Sequence, residues 1–153
     1  MNTEDLITRV QYIVKEASTL RDKHIDEKGD VNYACIFSQC IDEYTTLLRA
    51  VQKIGEKVKE TPTGIIFHIN PIDTVSGSVR LLKIRLPDET RPELGDADFT
   101  ISNFSAFKKK YLSKFGFKLI ARDDCDMIEL KDDEFYVRAY FSHPTLLRQL
   151  NIQ

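Results

Sequence analysis

Residues 87–95 read PDETRPELG, and they separate two parts of the chain in which the same order of secondary structure is predicted. Two prolines, a glycine and several charged residues stand in this short stretch. Such a composition is typical of a connection rather than of a helix or a strand. We therefore interpret 87–95 as a linker, with a first module on its N-terminal side and a second module on its C-terminal side.

The first module, residues 31–86, is predicted to have the order β-α-β-β-β. The run VNYACIFS at 31–38 is short, β-branched and aromatic, which favours a strand. Apolar residues then recur at helical spacing up to Ile54, and Gly55 stands where helices commonly end. Three strands are predicted after this helix, at 56–61, 65–70 and 79–86.

The second module, residues 96–142, repeats that order. DADFTI at 96–101 alternates as a short strand does. A helix is predicted over 103–115, because its aromatic residues fall on one helical face, namely Phe104, Phe107, Tyr111 and Phe115. Three strands follow at 117–122, 127–130 and 135–142. The two modules therefore share their element order and length, although not their sequence.

A helix is also predicted ahead of the modules, over 3–23. Its apolar residues recur every three or four positions, and Thr3 is the expected N-cap. The prediction is one α+β domain spanning 1–153, since a chain of 153 residues can bury a core of its own. Its parts are the N-terminal helix and loop (1–30), the first module (31–86), the linker (87–95), the second module (96–142) and a C-terminal tail (143–153).

Composition excludes several classes of protein. Apolar residues make up 42% and charged residues 30%, which is typical of a globular domain. No apolar run approaches the ~20 residues of a membrane span, and the N-terminus is acidic where a secretory signal is basic. We therefore expect a cytoplasmic protein. The net charge of −2, with both signs intermixed, argues against nucleic acid and anionic membranes as partners.

Several short motifs carry a resemblance to a known superfamily. They are the stretch 31–39, Gly64 with Phe67 before Asn70-Pro71, the run 84–87, and Arg91, Pro92 and Gly95 before DADFTI. With the paired βαβββ order, they make the chain similar to the vicinal-oxygen-chelate superfamily, which includes glyoxalase I, extradiol dioxygenases and bleomycin-resistance proteins. Within it the chain most resembles the YecM family, whose members also carry a leading helix. The resemblance covers about 24–144.

The resemblance implies that the two modules form a cup-shaped mixed sheet. In that superfamily a metal is held by His, Glu or Gln on the inner face of the first and fourth strands of each module. Alternation of side chains along the strands assigns these positions to Asn32, Arg85, Asp98 and Arg138, or to Lys83 and Tyr140 if the fourth strands slip by two. Arginine offers no lone pair to a cation, so the usual four-ligand site is not expected.

Alternation also makes a prediction for the other side chains of the first strand. Asn32, Ala34 and Ile36 are expected to face into the cup. Tyr33, Cys35 and Phe37 are expected to pack outward.

The leading hypothesis for function is a cup that binds a small anionic molecule without a cofactor. Arg85, Arg138 and Lys83 would contact its carboxylate or phosphate. Asp98 would orient an arginine, His68 or Tyr140 would add a neutral hydrogen bond, and Asn32 would complete the ligand-binding set. A competing interpretation is that Asp98 and the arginines only satisfy one another.

Two alternatives of different classes stay open. One is a metal-dependent lyase, isomerase or dioxygenase in which His68, Asp98 and Glu129 hold Fe or Mn. The other is a structural or protein-interaction module whose cup is filled by side chains. Cups of this superfamily sometimes assemble across two chains, so the resemblance is also compatible with a homodimer.

Overall fold

The computed structural model describes residues 1–152, which form four helices and eight strands. The N-terminal helix is α1 (Thr3–His24). The first module consists of β1 (Val31–Phe37), α2 (Ile41–Val51), β2 (Gly55–Thr61), β3 (Gly64–Thr74) and β4 (Gly77–Arg85). The second consists of β5 (Gly95–Phe99), α3 (Phe104–Tyr111), β6 (Phe117–Ala121), β7 (Asp126–Leu130) and β8 (Val137–His143). A short helix, α4 (Leu146–Gln149), follows.

The eight strands form one mixed sheet in the order β2-β3-β4-β1-β5-β8-β7-β6. Within each module the first strand pairs parallel with the last, β1 with β4 and β5 with β8. The two modules meet where β1 and β5 pair antiparallel at the centre of the sheet. The predicted α+β fold of two βαβββ modules with an added N-terminal helix is therefore confirmed.

Helix α1 packs across the sheet and contacts β1, β3, β5 and β8. Its apolar stripe is fully buried and includes Leu6, Val10, Ile13 and Val14. The N-cap is Asn2 rather than the predicted Thr3, because Asn2 and Asp5 form a reciprocal capping box, in which the Asp5 N–H donates to Asn2 Oδ1 at 2.8 Å. No helix among residues 1–152 is both long and apolar enough to cross a membrane.

Strand β1 presents the opposite side chains to the helices from those predicted. Ala34 and Ile36 belong to the apolar core, whereas Tyr33 and Cys35 line a cavity on the other face of the sheet. The prediction for these four residues was wrong because β1 is the central strand and nearly all its residues are buried. When both faces of a strand are buried, hydrophobicity does not tell which face is which.

Candidate functional site

The face of the sheet away from the helical core encloses a cavity of about 430 Å³. Its wall includes residues of the central strands β1, β4, β5 and β8, and residues of both outer parts of the sheet. Thr61 ends β2, Thr63 lies in the turn between β2 and β3, and Ile120 comes from β6 at the opposite edge. Since both edges reach one cavity, the sheet is curved around it. Leu146 and Gln149 of α4 also line it.

Positive charge predominates among the described residues that line the cavity. The cationic residues are Lys59, Lys83, Arg85, Arg91 and Arg122. The carboxylic acids are Glu60, Asp96 and Asp124. Since the chain as a whole carries a net charge of −2, this positive excess is local to the cavity.

Arg85, at the end of β4, has unused hydrogen-bonding capacity. Its Nη2 lies 3.3 Å from Asp88 Oδ2, an oxygen that also lies 3.9 Å from Arg91 Nε. The Nε of Arg85 is buried and finds no hydrogen-bond partner among residues 1–152. One carboxylate thus serves two guanidinium groups, and one N–H of Arg85 is left for another acceptor.

Lys83 and Arg91 each donate a hydrogen bond to an uncharged hydroxyl group. The Lys83 Nζ donates to Thr63 Oγ1 at 2.7 Å, and burial lowers the pKa of Lys83 below its usual value. The Arg91 Nη1 donates to Tyr140 Oη at 2.9 Å. Burial disfavours the charged form of a side chain, and a hydroxyl does not neutralise that charge. An anion in the cavity would stabilise the charged forms of Lys83 and Arg91.

Asp96, on β5, is the buried acid of this wall. Only 5% of the residue is exposed, and its Oδ1 has no hydrogen-bond partner among the described residues. Burial and the nearby carboxylate of Asp98 raise the pKa of Asp96 to about 7. The cavity therefore contains a carboxyl group that changes its protonation state near neutral pH.

Arg138 does not line the cavity, although it was predicted to contact the ligand. Its Nε and Nη2 donate to the two carboxylate oxygens of Glu93 at 2.7 and 3.0 Å. Its Nη1 donates to Glu129 Oε2 at 3.2 Å, and Nη2 also donates to the Thr90 carbonyl oxygen at 2.8 Å. For this arginine the structure agrees with mutual satisfaction by buried acids, with Glu93 and Glu129 in the role expected of Asp98.

Asp98 and Asn32 form a separate polar cluster beside the cavity. The Asp98 carboxylate accepts hydrogen bonds from Ser142 Oγ and, at 3.0 Å, from Asn32 Nδ2. Burial raises the pKa of Asp98 to about 6, despite these hydrogen bonds. Asp98 is fully buried and contacts no arginine through a described hydrogen bond or ion pair. The prediction that Asp98 orients an arginine was therefore wrong.

The structure does not bring His68, Asp98 and Glu129 together as a metal site. His68 is exposed in a shallow groove beside Glu56 and Asn70, outside the cavity. Asp98 on β5 and Glu129 on β7 each lie opposite Tyr140 of β8, the strand between them. No group of three His, Cys, Asp or Glu residues within 1–152 is arranged to hold a metal ion.

The ligand positions that the superfamily resemblance implies do not fit a metal either. Arg85 and Arg138 are cations, and Arg138 is already paired with two acids. Asn32 and Asp98 are hydrogen-bonded to each other. We therefore derive no metal chemistry for this cavity.

Tyr140, the remaining predicted residue, does line the cavity. Its hydroxyl donates to Glu129 Oε2 at 2.6 Å and accepts from Arg91. Burial raises the pKa of Tyr140, so the phenol stays neutral. It links the cavity wall to the buried ion pairs around Arg138.

Sequence reasoning missed Asp96, Arg91, Tyr33 and Cys35 as cavity residues. Asp96 could have been found, because alternation in DADFTI places it on the same face as Asp98. Arg91 could not, because it stands in the linker, where no periodicity indicates a direction. Its place over the cavity depends on how the linker folds back.

Comparisons with known proteins support the fold. No protein-family model matches the chain, and no curated protein matches it significantly. Among solved structures, the structural genomics target Protein EC4020 superposes with a TM-score of 0.73 at 11% sequence identity, over 97% of this chain and 91% of that chain. A glyoxalase/bleomycin resistance protein/dioxygenase superfamily member from Vibrio splendidus 12B01 superposes with a TM-score of 0.43 at 7% identity, over 73% of this chain and 97% of that chain. The likeness to Protein EC4020 shows a shared fold and nothing about activity.

Proposed function

We propose that this protein binds a small anionic molecule in the cavity on the concave face of its sheet. The observation that carries the proposal is Arg85, a residue of the cavity wall whose buried Nε has no hydrogen-bond partner among residues 1–152. A buried donor without an acceptor is rare in proteins and is satisfied by a water molecule or a ligand. A carboxylate or phosphate oxygen would supply an acceptor of opposite charge, which makes the strongest kind of hydrogen bond.

The surroundings of Arg85 support an anion rather than a neutral ligand. Among the described residues, Lys83 donates only to a hydroxyl, and Arg91 shares the carboxylate of Asp88 with Arg85. A ligand carrying one or two negative charges would balance these cations. The open cavity of about 430 Å³ has room for a small metabolite, which argues against a cup filled by side chains.

We further propose that the chain is a divergent member of the vicinal-oxygen-chelate superfamily, closest to the YecM family, and acts in the cytoplasm without the superfamily's metal. Support comes from the paired βαβββ order and from the leading helix α1. Arginine at two of the four usual ligand positions supports the loss of metal binding.

The binding proposal is tested by thermal shift with inorganic phosphate, glutarate, 2-oxoglutarate and glucose 6-phosphate. A ligand at about 100 times its Kd stabilises a protein by about 2.7 kcal/mol, which is a rise of roughly 5–10 °C for a chain of this size. We expect such a rise with at least one of these anions. Arg85→Ala and Lys83→Ala should abolish it, because they remove the charges that hold the anion.

Arg49→Ala is the matched control, since Arg49 is an exposed arginine on α2, outside the cavity. This variant should keep the full shift. The proposal fails if none of the four anions raises the melting temperature at about 10 mM, ten times a weak Kd of about 1 mM. It also fails if the Arg85 and Lys83 variants retain the shift seen with the unmodified protein.

A further inference from the structure

Asp96 has features that anion binding alone does not explain. It is a buried acid in the wall of a cavity that is otherwise rich in cations, and its Oδ1 is left without a partner among the described residues. A permanently ionised carboxylate there would repel the anion that Arg85 and Lys83 attract. A protonated carboxyl would remove that repulsion and present a hydrogen-bond donor to the cavity.

We propose that the ligand is an anion with an uncharged oxygen beside its charged group, as in an oxo- or hydroxy-carboxylate, and that Asp96 takes up a proton on binding and donates a hydrogen bond to that oxygen. This inference rests on the proposed function. The anionic group would contact Arg85 and Lys83, and the carbonyl or hydroxyl oxygen would lie against Asp96.

The charges around Asp96 explain why binding and protonation are coupled. Burial and Asp98 raise its pKa, whereas the cations Lys83, Arg91 and Arg85 lower it. The net result is a pKa of about 7 for the Asp96 carboxyl. An anion that pairs with Arg85 and Lys83 cancels part of the field that lowers the pKa, so the bound state holds the proton more firmly.

The other groups that face Asp96 do not titrate in this range. On β1, burial raises the pKa of Tyr33 and of Cys35 well above their usual values. On β8, Tyr140 stays neutral for the same reason, and Arg138 stays charged in its ion pairs. Asp98 titrates nearby, but its oxygens are bonded to Ser142 and Asn32 and it does not line the cavity.

Calorimetry with a matched pair of probes tests the inference. Glutarate and 2-oxoglutarate differ by one carbonyl oxygen, and both are almost fully ionised at about pH 7.5, so a proton taken up on binding at this pH goes to the protein. We expect 2-oxoglutarate to bind at least tenfold more tightly. Titration in two buffers of different ionisation enthalpy at about pH 7.5 should show proton uptake. The affinity of the protein for 2-oxoglutarate should fall about tenfold as the pH rises from roughly 6.5 to 8.5.

Two variants identify the residue that takes up the proton on binding. Asp96→Asn keeps a hydrogen-bond donor of the same size but cannot titrate, so it should bind 2-oxoglutarate without proton uptake and with an affinity independent of pH. Asp98→Asn, in the neighbouring cluster, should keep the uptake. Should either variant fold poorly, the pKa of the Asp96 carboxyl can instead be measured by carbon NMR in the unmodified protein. This pKa should rise when 2-oxoglutarate is added.

The outcomes separate this inference from the proposed function. Equal binding of both probes without proton uptake, or uptake that persists in Asp96→Asn, overturns the inference and leaves anion binding intact. An Asp96 pKa that does not move on saturation with 2-oxoglutarate also overturns it. If no anion binds at all, the proposed function and this inference both fail.

Discussion

Arg138 shows how this fold accommodates charge inside the protein. The residue is only 6% exposed, yet four of its hydrogen bonds are made, two to Glu93 in the linker, one to Glu129 on β7 and one to the Thr90 carbonyl oxygen. The planar guanidinium suits this task because it donates in parallel to both oxygens of one carboxylate. The arginine therefore joins the linker to the sheet rather than facing a ligand.

Removing this guanidinium should destabilise the protein strongly. In Arg138→Met, the carboxylates of Glu93 and Glu129 would stay buried without a cation, and breaking a buried ion pair in this way costs about 3–5 kcal/mol. Urea unfolding measures the loss. A decrease no larger than the roughly 0.5 kcal/mol typical of a surface change such as Arg49→Ala would contradict the assignment. Adding Glu93→Gln and Glu129→Gln should recover much of the stability, because the unpaired charges are then gone.

Among the elements, the antiparallel pair β1–β5 connects the two modules. Ile36 lies opposite Gly95 and Ala34 lies opposite Ala97, so small residues of β5 face β1 at this junction. A Cβ on Gly95 would overlap the carbonyl oxygen of Cys35 and approach Cδ1 of Ile13 to 3.0 Å. Glycine thus allows β5 to lie close to β1 and to α1 at once.

Gly95→Ala should therefore weaken the contact between the modules. Neither a backbone carbonyl nor a fully buried isoleucine yields easily, and overpacking of this kind costs about 1–3 kcal/mol. Urea unfolding should show the loss. Relative to the unmodified protein, hydrogen exchange should speed up more in β1 and β5 than in the edge strands β2 and β6. An unchanged midpoint of unfolding would mean that the strands can separate without cost.

The linker folds back onto the sheet and is held by backbone hydrogen bonds. The Leu94 N–H donates to the Tyr136 carbonyl oxygen at 2.7 Å, and the Phe37 N–H donates to the Leu94 carbonyl oxygen at 2.9 Å. These bonds place Arg91 over the ring of Phe37, with its guanidinium carbon 5.5 Å from the ring centroid. A segment that composition indicates as a simple connection thus supplies a cation to the cavity.

For the molecule as a whole, two buried acids make stability depend on pH. Burial raises the pKa of Asp96 to about 7 and that of Asp98 to about 6, above the usual value of 3.8. The folded state therefore binds more protons than the unfolded state between about pH 4 and 7, so the free energy of unfolding falls as pH rises through this window. A pKa raised by one unit is worth about 1.4 kcal/mol, so for the two acids together the fall is on the order of 5–10 kcal/mol.

Urea unfolding at about pH 5 and about pH 8 checks this expectation, and stability should be higher at pH 5. In Asp96→Asn the difference should shrink, because one of the two groups no longer titrates. Below about pH 4 stability should fall again. Although burial opposes it, hydrogen bonding to Arg138 keeps the pKa of Glu93 low, and its protonation breaks that pair. A stability that rises from pH 5 to pH 8 would contradict the buried state of both acids.

Much of the architecture was predictable from the sequence. The periods of apolar residues, with the prolines of the linker as a boundary, predicted both βαβββ modules and the N-terminal helix, because they depend on local patterns. The predicted end of the second helix was wrong, since α2 ends at Val51 and Gly55 begins β2. The same alternation predicted that Lys83 and Arg85 face the concave side, since the other face of β4 buries Leu82 and Ile84 in the core. Whether these cations bind a ligand stays a prediction.

What the amino-acid sequence determined by itself was the order of elements and the direction of side chains in strands with one apolar face. Only the tertiary structure decided the orientation of β1, whose two faces are both buried, and the partners of charged groups far apart in the chain. Arg138 and Glu93 are 45 residues apart in the sequence, yet they form a hydrogen-bonded ion pair in the folded protein. Arg91 reaches the cavity through the fold of the linker. Local periodicity carries no information on such pairings, because they depend on which strands meet and how the sheet curves.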